Sequence, residues 1–265
     1  MNTAQSTFKN ALKSQFTAGE LDHIWREVLS SKKDINSRLI LDDIISRLKE
    51  NEPYQYVLGR AYFYDFELNV SPAVLIPRPE TEELVQLICN DFSGLGPKVI
   101  DIGTGSGCIA LALAKHIPAA SVTALDVSPK AIKIAKINAE ELHLDVRFLQ
   151  QDILSEDLQE TYDVIVSNPP YIPHKEKALM KENVLEHEPH LALFVDDSEE
   201  LIFYERIASI GLKQLTEKGK LYFECNEYNA DQVKDLLLKL GYTNLEIHMD
   251  MQGKKRMASG IKGIE

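Results

Sequence analysis

Apolar positions along this chain change their period twice. In residues 7–15, 20–29 and 36–49 they recur three and four apart, as in Leu21, Ile24, Trp25 and Val28 and again in Leu39, Ile40, Ile44, Ile45 and Leu48. That spacing lines one face of a helix, so residues 1–52 are expected to form a small helical module punctuated by Gly19 and Ser30-Ser31. In residues 53–79 aromatic and polar residues alternate (Tyr54, Tyr56, Tyr62, Phe63, Tyr64, Phe66, Leu68, Val70) between Gly59, Pro72 and Pro77, which predicts a β-hairpin linker. Thr81 is expected to cap the helix that follows through Glu82, Glu83, Leu84, Val85 and Leu87.

Beyond Gly96 the pattern alternates short apolar runs with helical periods. Strands are expected at 98–101, 121–125, 146–149, 163–167 and 220–224, and helices at 107–116, 129–142, 198–215 and 229–240. This is the signature of an α/β, Rossmann-like doubly wound sheet, mostly parallel. Residues 244–248 and 255–259 around Gly253 predict a closing hairpin whose last strand is antiparallel. Residues 80–265 form the expected main domain.

Composition narrows the class. Of 265 residues, 44% are hydrophobic and 26% charged, ordinary globular usage. No run approaches the roughly 20 apolar residues that span a bilayer, and residues 1–10 lack a signal peptide's apolar centre, so a cytoplasmic protein is expected. Cys89, Cys108 and Cys225 are three, far apart and without a CxxC pair, which predicts neither a disulfide framework nor a zinc site. Residues 1–75 hold 9 basic and 10 acidic side chains, net -1, and residues 76–265 hold 20 and 31, net -11. An acidic main domain repels polyanions, so direct nucleic-acid binding is not expected.

Ligands of an open parallel sheet bind beyond the carboxyl ends of its strands, where strand order reverses. The first strand runs into Asp101-Ile102-Gly103-Thr104-Gly105-Ser106-Gly107 and then the apolar helix from Cys108. Its glycines let backbone approach a ligand, and the helix start aims free N–H groups at the crevice. Alone, such a turn also suits tight packing or a dinucleotide. Asp126 ends the second strand, where a carboxylate accepts ribose hydroxyls; it would equally cap the next helix. Asp152 and Ile153 follow the third, suited to an exocyclic amino group and a purine face, or simply to a solvated loop. Glycine, ribose acceptor and base acceptor in that order describe an adenosine-containing ligand.

The fourth strand ends in Asn168-Pro169-Pro170-Tyr171. Paired prolines fix φ and remove two N–H donors, leaving carbonyl acceptors on a rigid turn. The Asn168 side-chain oxygen and the Pro169 carbonyl can take both hydrogens of a planar NH2 group while the Tyr171 ring packs on its plane. Such a clamp orients the nitrogen lone pair toward a sulfonium methyl, a displacement in which positioning supplies much of the catalysis. Other candidates have plainer readings. His187 and His190 flank Pro189 beside Glu186 and Glu188, which reads as a solvated loop rather than a metal site. Cys108 is read as a buried small residue, and Ser106 lacks the partners of a hydrolase triad. Glu224, ending the fifth strand, would reach the pocket, cap a helix or form a salt bridge.

These residues resemble a known family, the peptide chain release factor glutamine N5-methyltransferases. The resemblance covers roughly residues 53–256 and rests on Val74-Leu75-Ile76-Pro77-Arg78-Pro79-Glu80-Thr81-Glu82, on 101–110, Asp126, Asn138-Ala139 and 166–172. It implies a class I methyltransferase sheet that uses S-adenosylmethionine and yields S-adenosylhomocysteine, and an acceptor that is the Gly-Gly-Gln glutamine of class 1 release factors. It further implies that the helical module holds the release factor, that Asp101, Gly103, Thr104, Gly105, Ser106, Gly107, Asp126, Asp152, Ile153 and Asn168 contact S-adenosylmethionine, and that Asn168, Pro169, Pro170 and Tyr171 hold the glutamine. A monomer without metal is expected. The chain departs from the family at Phe194-Val195-Asp196-Asp197-Ser198-Glu199-Glu200-Leu201, where a glycine-rich turn is usual, and at Glu224-Cys225-Asn226. The rival reading from the same clamp is adenine-N6 methylation of DNA or RNA. A non-catalytic nucleotide-binding protein and an NAD-dependent enzyme would share the fold.

Overall fold

The computed structural model describes residues 3–31, 34 and 37–263. Asn36, the expected start of the third helix, lies outside them, as do the first two and last two residues of the expected domains. Helices α1 (Thr3–Leu12), α2 (Ala18–Ser30) and α3 (Arg38–Lys49) bury Phe8, Leu12, Leu21, Ile24, Trp25, Val28, Leu41, Ile44, Ile45 and Leu48 together. The Trp25 ring lies 5.1 Å from that of Phe8. Helix α2 opens with a capping box: Glu20 N donates to Thr17 Oγ1 at 3.3 Å, and Thr17 N donates to Glu20 Oε2 at 2.7 Å. Such a cap is worth about 1 kcal/mol.

The expected hairpin is shorter than residues 53–79. Residues 54–58 form a helical turn, α4 (Tyr54–Leu58), closed by Gly59 at φ 78°. Val57 and Leu58 extend the helical module's core with Tyr54 packed against it, a one-turn spacing that the aromatic alternation hides in the sequence. Only β1 (Arg60–Phe63) and β2 (Phe66–Asn69) pair, antiparallel. Phe63, Phe66 and Leu68 face the core of the main sheet. Helix α5 (Pro79–Asp91) begins two residues before Thr81, because Pro79 carries the helical φ at the first turn. Thr81 is therefore inside the helix and is no N-cap.

The main sheet contains β3 (Lys98–Ile102), β4 (Ser121–Asp126), β5 (Arg147–Gln150), β6 (Tyr162–Ser167), β9 (Leu215–Glu224), β10 (Thr243–Met249) and β11 (Lys255–Ile261). Their order is β10-β11-β9-β6-β3-β4-β5, with β11 antiparallel to both neighbours and the remaining pairings parallel. Successive side chains point to opposite faces. Val99, Val164 and Val166 meet α5 and α6 (Cys108–His116) on one face, and Ile100, Ile165 and Leu221 meet α9 (Ile202–Gln214) and α10 (Ala230–Leu240) on the other. Burial on both faces explains the continuous apolar runs. The remaining helix of the first face is α7 (Pro129–Leu142).

Strand order reverses between β3 and β6, which puts the ends of β3, β4 and β6 around one crevice. After β6 comes a segment that no apolar period announces: β7 (Ile172–Pro173) pairs parallel with β8 (Phe194–Val195), and α8 (Glu182–His187) lies between them in the chain. The atypical residues Phe194 and Val195 thus brace the exit of the Asn-Pro-Pro-Tyr turn, with Ile172 N donating to Leu193 O at 3.0 Å.

Candidate active site

The glycine turn bends over the end of β4. Gly103 N and Thr104 N both donate to Leu125 O at 2.9 Å, and Gly105 N donates to Asp126 Oδ2 at 2.9 Å. Gly103 and Gly105 have φ of 76° and 56°, and a Cβ on either would project into open space, so the bare backbone forms the wall. Gly107 serves packing instead: a Cβ there would come within 3.2 Å of Ala135 on α7. Asn138 fastens this turn to the hairpin by donating to Ser106 O at 2.9 Å and accepting from Asn69 N at 2.7 Å.

Together these ends enclose a cavity of about 470 Å³, lined by Gly103, Thr104, Gly105, Ser106, Asp126, Asp152, Ile153, Asn168, Pro169 and Pro170, with Thr81 and Arg78 at one side. A second cavity of about 220 Å³ lies across the turn, lined by Leu75, Tyr171, Met180, Val184 and Glu224. Asn168 and Pro169 line both. Of the expected site residues, Asp101 and Gly107 line neither. Asp101 is fully buried under the turn, accepting from Thr104 Oγ1 at 2.6 Å and Ala110 N at 3.3 Å, and burial pushes its carboxyl up to about 7. Asp126 accepts at both oxygens, from Gly105 N and from Ser128 N at 2.8 Å, while burial raises its carboxyl. Asp152 caps its own turn, accepting from Leu154 N at 3.0 Å, and buried Ile153 is held from α9 by Arg206, whose Nε donates to Ile153 O at 2.8 Å.

Two carboxylates beyond the expected set, Glu188 and Glu224, complete the site, while His187 and His190 line neither cavity. Glu188 is buried rather than solvated: it accepts from Arg78 Nη2 at 2.6 Å and Ile76 N at 3.2 Å, pinning the linker over both cavities. His187 and His190 donate to the carbonyls of Glu50 at 3.1 Å and Leu185 at 2.8 Å. Glu224 is buried, accepts from Thr81 Oγ1 at 2.6 Å and is raised by burial to about 7. Burial also raises the Tyr171 phenol and pushes the partly buried Cys108 thiol up to about 12, which removes thiolate chemistry at neutral pH.

A sheet of this order, with a glycine-turn cavity at its reversal point, is that of the class I methyltransferases. A methyltransferase from Pyrococcus furiosus shares it with a TM-score of 0.56 at 22% identity, covering 74% of this chain and 89% of that one. Residues 80–192 match the family model described as Methyltransferase small domain. The release factor glutamine methyltransferase of Flavobacterium psychrophilum is 40% identical across 96% of both chains, and that of Bacteroides thetaiotaomicron is 48% identical across 82% of this chain and 78% of its own. The chain belongs to the release factor glutamine methyltransferase family. Among the described residues no helix is long and apolar enough to cross a membrane.

Proposed function

We propose that this protein transfers a methyl group from S-adenosylmethionine to N5 of the Gly-Gly-Gln glutamine of class 1 peptide chain release factors. The observation that carries this reading is the wall of Asn168 and Pro169 between two cavities, which sets a nitrogen held on one side against a methyl donor held on the other. Family membership supports the choice of a release factor.

The larger cavity suits an adenosine-bearing sulfonium in size, in its bare glycine wall and in the buried Ser106 hydroxyl, which has no partner among the described residues. When bound, S-adenosylmethionine supplies an electrophilic methyl whose bonding pair leaves with sulfur. Gly103, Thr104, Gly105 and Ser106 hold its amino-acid part, Asp126 has lone pairs left for ribose hydroxyls, and Asp152 and Ile153 hold the base, with Asp101 and Gly107 supporting the turn from behind. On the other side Asn168 Oδ1 and the Pro169 carbonyl accept the two amide hydrogens, drawing the delocalised lone pair back onto nitrogen. Pro170 and Tyr171 keep that turn rigid and pack the amide plane.

The helical module of residues 1–52 and the linker of 53–79 present the release factor to the smaller cavity. Their support is the join between Glu50, Asn51 and α8, whose Val184 lines that cavity. The protein acts as a cytoplasmic monomer without binding nucleic acid, in keeping with net -11 over residues 76–265. Incubation with labelled S-adenosylmethionine and a release factor, the same factor with the glutamine changed to alanine, or DNA tests the reading. Label only on the unchanged release factor is expected; label on DNA with none on the release factor would overturn it.

A further inference from the structure

Thr81 has no part in the reaction proposed for Asn168, yet it lines the larger cavity and is hydrogen-bonded to Asn168 and Glu224, which line the smaller. It is buried in the first turn of α5, where its hydroxyl donates to Glu224 Oε2 at 2.6 Å and accepts from Asn168 Nδ2 at 3.3 Å. A hydroxyl has one proton, and an ionised carboxylate can only accept. With that proton committed to Glu224, Thr81 offers Asn168 nothing but lone pairs. The Asn168 amide must then turn its NH2 toward Thr81 and its Oδ1 away. An unanchored asparagine can rotate by about 180° and exchange the two ends. The reversed amide would set NH2 against the substrate's NH2, two donors facing with no acceptor between them. Burial and neighbouring Glu80 oppose ionised Glu224, while the Thr81 hydroxyl, Arg256 and Arg78 favour it, so the relay as described holds on the alkaline side of about 7.

We propose that Glu224 and Thr81 form a positioning pair that fixes the sense of the Asn168 amide, so that Oδ1 is the atom offered to the hydrogens of the accepting nitrogen. This rests on the role given to Asn168 under the proposed function. The carboxylate sets the hydroxyl, the hydroxyl sets the amide, and neither Glu224 nor Thr81 needs to touch the reacting atoms. Glu224 and Asn168 lie 143 and 87 positions from Thr81 along the chain, so the relay exists only in the fold.

The test compares native protein with Thr81→Val, Thr81→Ser and Glu224→Gln on the alkaline side of the Glu224 value. Valine keeps the shape of threonine and loses the hydroxyl; glutamine can donate back to Thr81 and so releases its proton toward Asn168. We expect kcat for release factor methylation to fall about 30-fold in Thr81→Val and about 10-fold in Glu224→Gln, with the S-adenosylmethionine Kd within about threefold of native. Thr81→Ser should restore kcat to within about threefold of native. The double variant Thr81→Val, Glu224→Gln should lose little more than Thr81→Val alone, since both act through one amide. Native-like kcat in Thr81→Val, or equal loss in Thr81→Ser, overturns the pair's role. If native protein leaves release factors unlabelled, the proposed substrate falls and the relay is decided by 15N spectra of the Asn168 side-chain NH2, assigned by its disappearance in Asn168→Asp. Those resonances should move and exchange faster with water in Thr81→Val and Glu224→Gln but hold in Thr81→Ser; unmoved resonances in Thr81→Val refute the relay.

Discussion

The two cavities share Leu75, Arg78, Asn168, Pro169 and Ala192 and differ in what each adds to that common wall. The larger adds short contiguous stretches at successive strand ends, Gly103 to Ser106, Asp126, and Asp152 with Ile153, beside more of the linker and two side chains of α9. The smaller adds Tyr171, Met180, Val184 and Glu224 from the β6 turn, the segment around α8 and the end of β9. A backbone-lined site tolerates little change at a few positions. One assembled from side chains of distant segments depends on packing that spreads its cost.

The largest effect should come from the shared wall. Asn168→Ala removes the acceptor on the substrate side, and kcat is expected to fall at least about 100-fold while calorimetry still registers S-adenosylmethionine. Unchanged turnover would refute the assignment. Next is Gly105→Val: a β-branched residue at φ 56° is strained and fills the larger cavity, so the S-adenosylmethionine Kd should rise about 30-fold or more. A smaller effect is expected across the wall. Val184→Asp puts a charge in the lesser cavity and should raise the release factor KM about tenfold without moving the cofactor Kd; a matching rise in both would break the division between the cavities.

The smallest effect concerns Asp101. Its carboxyl is held up at about 7 against an ordinary 3.8, so the folded chain binds the proton more tightly than the unfolded chain. The stability this supplies is complete below about 3.8 and is lost as pH rises through about 7. Asp101→Asn carries no proton to lose. Thermal melts should therefore show native protein declining more steeply than the variant from acid to neutral pH, and parallel declines would remove Asp101 as the cause.

The sequence reveals the contiguous parts best. Strands buried on both faces write themselves as apolar runs, and the glycine turn and Asn168-Pro169-Pro170-Tyr171 follow them directly, so sheet, order of strand ends and larger cavity were legible. The smaller cavity was legible only at Asn168, Pro169 and Tyr171. Glu188 looked like a loop acid because its partner Arg78 lies 110 residues upstream. Thr81 looked like a cap because its side chain suits one, but Pro79 starts the helix and buries it. Residues 54–58 looked extended because aromatic rings alternate in either period over so short a span. The paired strands after the turn are two residues each, too short for any period to register.

The chain's one tryptophan, Trp25, sits against Phe8 in the helical module, far from any sheet strand in sequence. A fluorophore that can be excited apart from the tyrosines thus stands in one region and not in the other. Its emission reports water entering the module, while far-ultraviolet circular dichroism is weighted toward the rest. Urea curves followed by both signals would coincide if the module and the sheet unfold as one cooperative unit, and would separate if the module can come apart while the catalytic sheet stays folded.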